Sequence, residues 1–265
     1  MIVWLVRYAE IFLKGKNRHK FERRLVENIK DCLKRNKVEF DSVRHVCNRI
    51  LIYSGKDCSC LRYVSGISSI SKSIETLQDI EIIKRTASRF YKKGTFRITA
   101  QRLDKEFKHN SNEINIIVGS HLVRERNAKV SLEHPDTNIG IELFNKKAYL
   151  FNQRIAGLLG GLPAGIEGKV AVLLEDSYSI IAGILMIKRG CSIIAMQKNK
   201  VSLAPLKKFC YGFELRTVKS LPKGITSIAV NDTISNIKKR KFNLTVFRPL
   251  VGYDEKELKK WLKYS

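Results

Sequence analysis

The chain has 265 residues, 44% of them hydrophobic, and carries 50 lysines and arginines against 25 aspartates and glutamates, a formal charge of +25. That length holds two or three small domains. No apolar run approaches the roughly 18 residues of a membrane span, and the opening MIVWLVRYAE lacks the basic start of a signal peptide, so the expectation is a cytoplasmic protein with no membrane partner.

The charge is spread along the chain, with 15 basic and 7 acidic residues in 1–68, 16 and 10 in 69–166, and 19 and 8 in 167–265. A single basic tail reads as a disordered arm, whereas a basic surface on every segment reads as a folded body lying along a nucleic acid. A lysine-rich proteome is the competing explanation, but that bias ordinarily brings glutamate with it.

In chain order, Ile2–Arg7 is an apolar first strand. The basic stretch Lys14-Gly15-Lys16-Asn17-Arg18 is a loop whose cations suit backbone phosphates. Phe21, Leu25, Ile29 and Leu33 recur every fourth residue and predict a helix. Residues 39–47 and 49–53 are strand-like, and 59–64 is a short helix. Gly66-Ile67-Ser68-Ser69 reads as a turn. Strand, helix, strand, strand, helix is most of a ferredoxin-like α+β unit.

Ile80, Ile83, Ala87 and Phe90 mark the next helix. Residues 95–100 alternate as a half-buried strand. Ser111 is the expected cap of a helix carrying Ile114, Ile117, Val118 and Leu122. Residues 139–144 and 148–151 form a hairpin around Asn145-Lys146-Lys147. Five glycines and prolines within 160–168 read as a linker.

Beyond the linker, strands at 170–174, 191–196, 225–230 and 244–247 alternate with helices at 179–189, 203–212, 232–240 and 254–263. That alternation predicts a small doubly wound parallel sheet. A first strand feeding a helix is where α/β proteins seat a phosphate, on the free N–H groups of the helix start. Here the turn is Glu175-Asp176-Ser177-Tyr178, with two carboxylates and no glycine. Carboxylates repel a polyphosphate, so the turn reads as a plain connection capped by Asp176 or Ser177. The six cysteines show no zinc spacing, and reduced thiols with no metal are expected.

Several stretches together resemble the tRNA 4-thiouridine synthases (tRNA sulfurtransferases, ThiI-like). They are RYAEIFLKGKNRHKFERRLVENI (7–29), LRYVSGISSIS (61–71), FRITAQRLDKEFKHNSNEINIIVGSHL (96–122), KVSLEHPDTNIGIEL (129–143), AGLLGGLPAG (156–165), MIKRG (186–190) and RPLVGYDEKEL (248–258). The resemblance implies three domains: a ferredoxin-like domain over 1–68, an RNA-binding THUMP α/β domain over 69–166, and a shortened PP-loop pyrophosphatase-like α/β domain over 167–265.

It also implies a tRNA partner, gripped at the acceptor end, and RNA contacts from Lys14, Lys16, Arg18, Arg97, Arg102, Lys105, Lys108 and Arg124. Phe107 is then the ring to stack on an unpaired base. The family's nucleotide motif SGGIDSP falls on Leu174, Glu175, Asp176, Ser177, Tyr178, Ser179 and Ile180, where only Ser179 agrees. The motif is degenerate, and the expectation is no catalytic residue and no cofactor. Two readings follow. One is a non-catalytic tRNA-binding protein that serves a separate modifying enzyme or forms a homodimer. The other is an active ATP-dependent sulfurtransferase with a rearranged site, Ser177 or Ser179 at the phosphate and Cys191 or Cys210 carrying sulfur.

Overall fold

The computed structural model describes residues 1–8, 10–103, 105–237 and 242–262. In chain order its elements are β1 (Ile2–Arg7), α1 (Arg18–Arg35), β2 (Ser42–Val46), β3 (Arg49–Tyr53), β4 (Ser69–Leu77), α2 (Ile80–Ser88), β5 (Thr95–Arg102), α3 (Ser111–Arg126) and β6 (Lys129–Val130). They continue as β7 (Thr137–Phe144), β8 (Lys147–Phe151), β9 (Ile155–Ala156), β10 (Lys169–Leu174), α4 (Ser177–Lys188), β11 (Ser192–Gln197), α5 (Ala204–Lys207), β12 (Arg216–Val218), β13 (Ser227–Ala229), β14 (Thr245–Phe247) and α6 (Glu255–Leu262). Contacts group the chain into two units: Met1–Arg7, Val38–Ser59 and Ser69–Ala156, and Tyr8–Lys37, Cys60–Ser68 and Gly157–Ser265.

The first unit is built on one sheet of nine strands, in the order β2-β3-β1-β4-β8-β7-β5-β6 with β9 paired to β4. Its centre is the strand β4, where the sequence reading has a turn at Gly66–Ser69 and then nothing until the helix at Ile80. β4 lies antiparallel between β1 (Leu5 opposite Ser71) and β8 (Ile74 opposite Leu150). Ser69, Ser71 and Ser73 are all buried along it. Serine is a turn-favouring residue, so composition hid the strand that ties β1, β2 and β3 to the rest. The expected boundary after residue 68 falls immediately before it.

α2 and α3 cover the β5–β8 part of this sheet, closing a core of Ile83, Phe96, Ile114, Val118, Leu122 and Ile139. Each such side chain contributes about 1.5–3 kcal/mol on burial. The cap of α3 is Asn110 rather than Ser111: Asn110 accepts from Glu113 N at 3.0 Å and its own N–H donates back to Glu113. Asn does this as well as Ser, and the choice is fixed by where the chain enters the helix. At the β7–β8 hairpin Asn145 and Lys146 have φ of 51° and 58°, the mirror-image turn that suits strand twist. Gly140 on β7 lies against the Phe151 ring, and an added Cβ would collide with that ring.

The second unit holds a five-stranded, wholly parallel sheet in the order β12-β11-β10-β13-β14. Strand order reverses at β10, so the carboxyl ends of β10 and β13 form a switch point. α4 is buried over nine consecutive residues, Ser179 to Ile187. It is apolar all round because β10 and β11 pack on one side and α6 on another.

The stretch expected as a linker is packed: Leu159, Leu162 and Ala164 are buried, and Leu162 N donates to the Lys188 carbonyl at 2.9 Å. α1 belongs to this unit, with Arg24 Nε 2.9 Å from the Ala164 carbonyl and Arg35 Nη1 2.8 Å from that of Cys210. Three features differ from the sequence reading. The helix at 203–212 shrinks to Ala204–Lys207, followed by a turn at Lys208 and Phe209 and a bend at Gly212, whose φ is 83°. Edge strand β12 was not foreseen. Residues 232–237 are not helical, and the remainder of the helix expected over 232–240 lies outside the described residues. No described helix is long and apolar enough to cross a membrane.

Candidate nucleic-acid interface

In the first unit, the candidate residues of β5 and the following loop divide into structural donors and presented cations. Arg102 is half-buried and its Nη1 donates to the carbonyls of Phe107 (2.7 Å) and His109 (3.3 Å), so it closes the loop. Phe107 is 9% exposed and packs with Ile98 and Ile114. It is a core side chain held edge-on against His109, not a ring offered to a base. A Phe flanked by lysines looks like a stacking platform in sequence, but the loop folds inward because Arg102 satisfies its carbonyls. Lys105 and Lys108 stand exposed on the same loop.

Arg97, on the opposite face of β5 from Arg102, donates to the Leu132 carbonyl at 2.8 Å. Its Nε is buried without a hydrogen-bond partner. Arg124 is exposed at the end of α3, 3.4 Å from Glu125. Arg124 and Leu132 line one groove of about 620 Å3 together with Phe96, Asn115, Ile116 and Val130. The structure therefore gathers Arg102, Lys105, Phe107 and Lys108 at one loop and puts Arg124 on a separate groove, while Arg97 is bonded to the carbonyl of Leu132, one of the residues lining that groove.

Sequence reasoning passed over a buried polar cluster in this unit. Glu142 takes Arg7 Nε on one oxygen (2.6 Å) and Arg49 Nε on the other (2.7 Å). Burial lowers the Arg7 guanidinium to about 10, against the raising effect of Glu142. An arginine ending an apolar strand and a lone glutamate inside another were the available signal.

In the second unit, Lys14, Lys16 and Arg18 lie on a 3-10 stretch, Glu10–Asn17, and the first residue of α1. Lys14 Nζ is 3.1 Å from Glu167 and 4.7 Å above the Phe21 ring. Arg18 is tied to Glu22 at 2.6 Å and lies over Phe12 at 4.5 Å. Lys16 is exposed. Two of the three cations are thus held in place by internal partners, and each keeps part of its surface open.

At the switch point of the parallel sheet a cleft of about 550 Å3 is lined by Asp176, Tyr178, Asn231, Tyr253, Asp254 and Glu255. Asp176 caps α4: its Oδ1 accepts from Ser179 N at 3.0 Å, while the N–H groups of Glu175 and Asp176 donate to Ser179 Oγ at 2.9 and 3.2 Å. Asn231 Nδ2 donates to the other Asp176 oxygen at 2.7 Å, and Lys198 pairs with Glu175 at 2.9 Å. The helix start is turned onto its own side chains.

Residues 3–71 match the ThiI ferredoxin-like domain family, and residues 74–152 match the THUMP domain family. The chain is a ThiI-like THUMP protein. A relative named probable tRNA sulfurtransferase, from Mycoplasmopsis synoviae, is 37% identical over 193 residues, 71% of this chain and 50% of the relative. This THUMP protein therefore spans about half the length of that relative. Among solved structures, PH1313 from Pyrococcus horikoshii superposes with a TM-score of 0.88 at 29% identity, over 99% of each chain. A 4-thiouridine synthetase, solved with RNA and bound ATP, shares the fold with a TM-score of 0.76 at 24% identity, over 99% of this chain and 84% of its own. The resemblance read from the sequence thus holds for the family and for the fold, including a parallel sheet after the THUMP domain.

Proposed function

We propose that this THUMP protein binds tRNA at its acceptor end and serves tRNA modification as a non-catalytic member that leaves the ATP-dependent step to a separate enzyme. The observation that carries the second half is the start of α4. An ATP phosphate on a strand-to-helix turn needs free N–H groups and glycine-permitted approach. Here the Asp176 carboxylate accepts the N–H of Ser179, Ser179 Oγ accepts those of Glu175 and Asp176, and the cleft beyond is lined by Asp254 and Glu255. The residues present do not fit a triphosphate. Cys191 and Cys210 do not fit a sulfur carrier either: burial raises Cys191 and pushes Cys210 up to about 12, which withholds the thiolate that would accept sulfur.

Support for the tRNA half comes from the charge of +25, the THUMP match and the exposed Lys16, Lys105 and Lys108. Titration calorimetry with ATP and with a tRNA transcript tests both halves. The expected result is no measurable ATP heat with or without tRNA, and tRNA affinity that falls steeply with salt as counterions are released. The variants Lys16→Ala, Lys105→Ala and Lys108→Ala should each flatten the salt slope by about one counterion. Micromolar ATP binding, or thiouridine made by the purified chain with ATP and a sulfur donor, would overturn the non-catalytic reading. Loss of tRNA binding at low salt would overturn the other half.

A further inference from the structure

The two faces of the five-stranded parallel sheet are finished differently. α4 closes one face, packing on β10 and β11 with Val170, Val172, Ile184 and Ile193. On the other face Ala171, Leu173, Ile228 and Val230 lie beside their sheet neighbours Met196 and Val246 and are covered by Leu221, Ile225, Phe242 and Leu244. All of these are only partly buried and none lies in a helix. Parallel strands are apolar on both sides, and parallel sheets occur with helices over both. The connections that would carry the second layer, 219–226 and 230–244, hold no helix among their described residues. A shallow cavity of about 650 Å3 opens instead among Leu221, Phe242, Asn243 and Leu244.

Charge indicates what would cover it. Among the described residues of 191–250 there are eight lysines and arginines and two carboxylates, Glu214 and Asp232. Asp232 is buried and paired with Arg248 at 3.0 Å. Lys219 and Lys223 are exposed in the same connection that supplies Leu221 and Ile225. A second copy of this chain would bring two like-charged rims together, which costs energy on association. RNA would meet the cations, but its phosphates and base edges gain nothing from a floor of Leu221, Ile225, Leu244 and Val246. An amphipathic helix with a leucine stripe and acidic flanks satisfies both the floor and the rim.

We propose that this loop-covered sheet face docks an acidic amphipathic helix of a separate partner protein, which seats on the partly exposed Leu221, Phe242 and Leu244. This stands independently of the tRNA reading. The test uses the full chain and a fluorescein-labelled synthetic helix of about five turns, leucines at i, i+3, i+4 and i+7 and glutamates elsewhere. Its control is a scrambled peptide of the same composition. The patterned peptide should bind at least about tenfold tighter than the scrambled one.

Lys219→Glu with Lys223→Glu, both on the surface, should weaken it by about tenfold, and Leu221→Ser with Phe242→Ser should abolish the preference. The charge pair decides the matter if the apolar pair fails to fold, and tRNA affinity is measured on the same variants to keep the two readings apart. Equal binding of the scrambled peptide would overturn the proposal. So would a sedimenting dimer that Leu221→Ser dissociates, or tRNA protection of Leu221 and Phe242 from carbene labelling.

Discussion

Glu142 is one carboxylate serving two buried cations. Both of its oxygens are used, by Arg7 at 2.6 Å and Arg49 at 2.7 Å, and Arg7 also lies over the Phe151 ring at 4.6 Å and donates to Ser71 Oγ at 3.0 Å. Removing one partner of a buried ionic group is far more costly than the group's net worth, because the remaining charges keep their desolvation. Glu142→Gln leaves two guanidinium groups facing each other without a counter-charge and should cost about 3–5 kcal/mol, read from urea denaturation. A loss under about 1 kcal/mol would mean that water reaches the cluster. Individual residues were legible where chemistry is local: Asp176 as cap of α4 and the apolar spacing of α1 are properties of neighbours in sequence. Phe107 and Glu142 were not, because their surroundings are assembled from β5, β7, β1 and β3.

At the scale of elements, the start of α4 shows how a helix terminus satisfies its own donors. Asp176→Ala removes the cap and the Asn231 contact and should lower stability by about 0.5–2 kcal/mol, seen as a drop in Tm. It should not create ATP binding, since no glycine enters the turn; gain of micromolar ATP affinity by this variant would show that the carboxylate alone blocks the site. Helices and strands with strong periodicity were read correctly. β4 leaves no strand signal because its buried face is serine, and the helix expected at 203–212 is the single turn Ala204–Lys207. Serine burial is decided by hydrogen-bonded strands on either side, which no local pattern displays.

For the whole molecule, alkaline pH is the informative perturbation. Burial raises the phenols of Tyr8, Tyr53, Tyr149 and Tyr211, with Tyr53 and Tyr211 pushed up to about 12, and it lifts Cys210 to about 12. Unfolded tyrosine ionises near 10 and cysteine near 9, so between those values and 12 the folded chain holds protons that the unfolded chain has released. Stability is then lost as pH rises through that window. Arg7, lowered to about 10, works in the opposite sense, but it is one group against several. The expected outcome is a Tm that falls steadily from pH 9 upward by differential scanning calorimetry; a Tm level to pH 11 would mean that these phenols reach solvent.

The sequence by itself determined the basic surface, the alternation of elements after residue 168, the glycine-free turn at 175–178 and the resemblance to the thiouridine synthases, because composition, period and motif are written along the chain. Tertiary structure decided that β1–β9 make one sheet, that Phe107 faces inward, that the glycine-rich stretch is packed, and that one face of the parallel sheet carries no helix among the described residues. Each of these depends on which distant segments come together, and long-range pairing leaves no mark in the local pattern of a sequence.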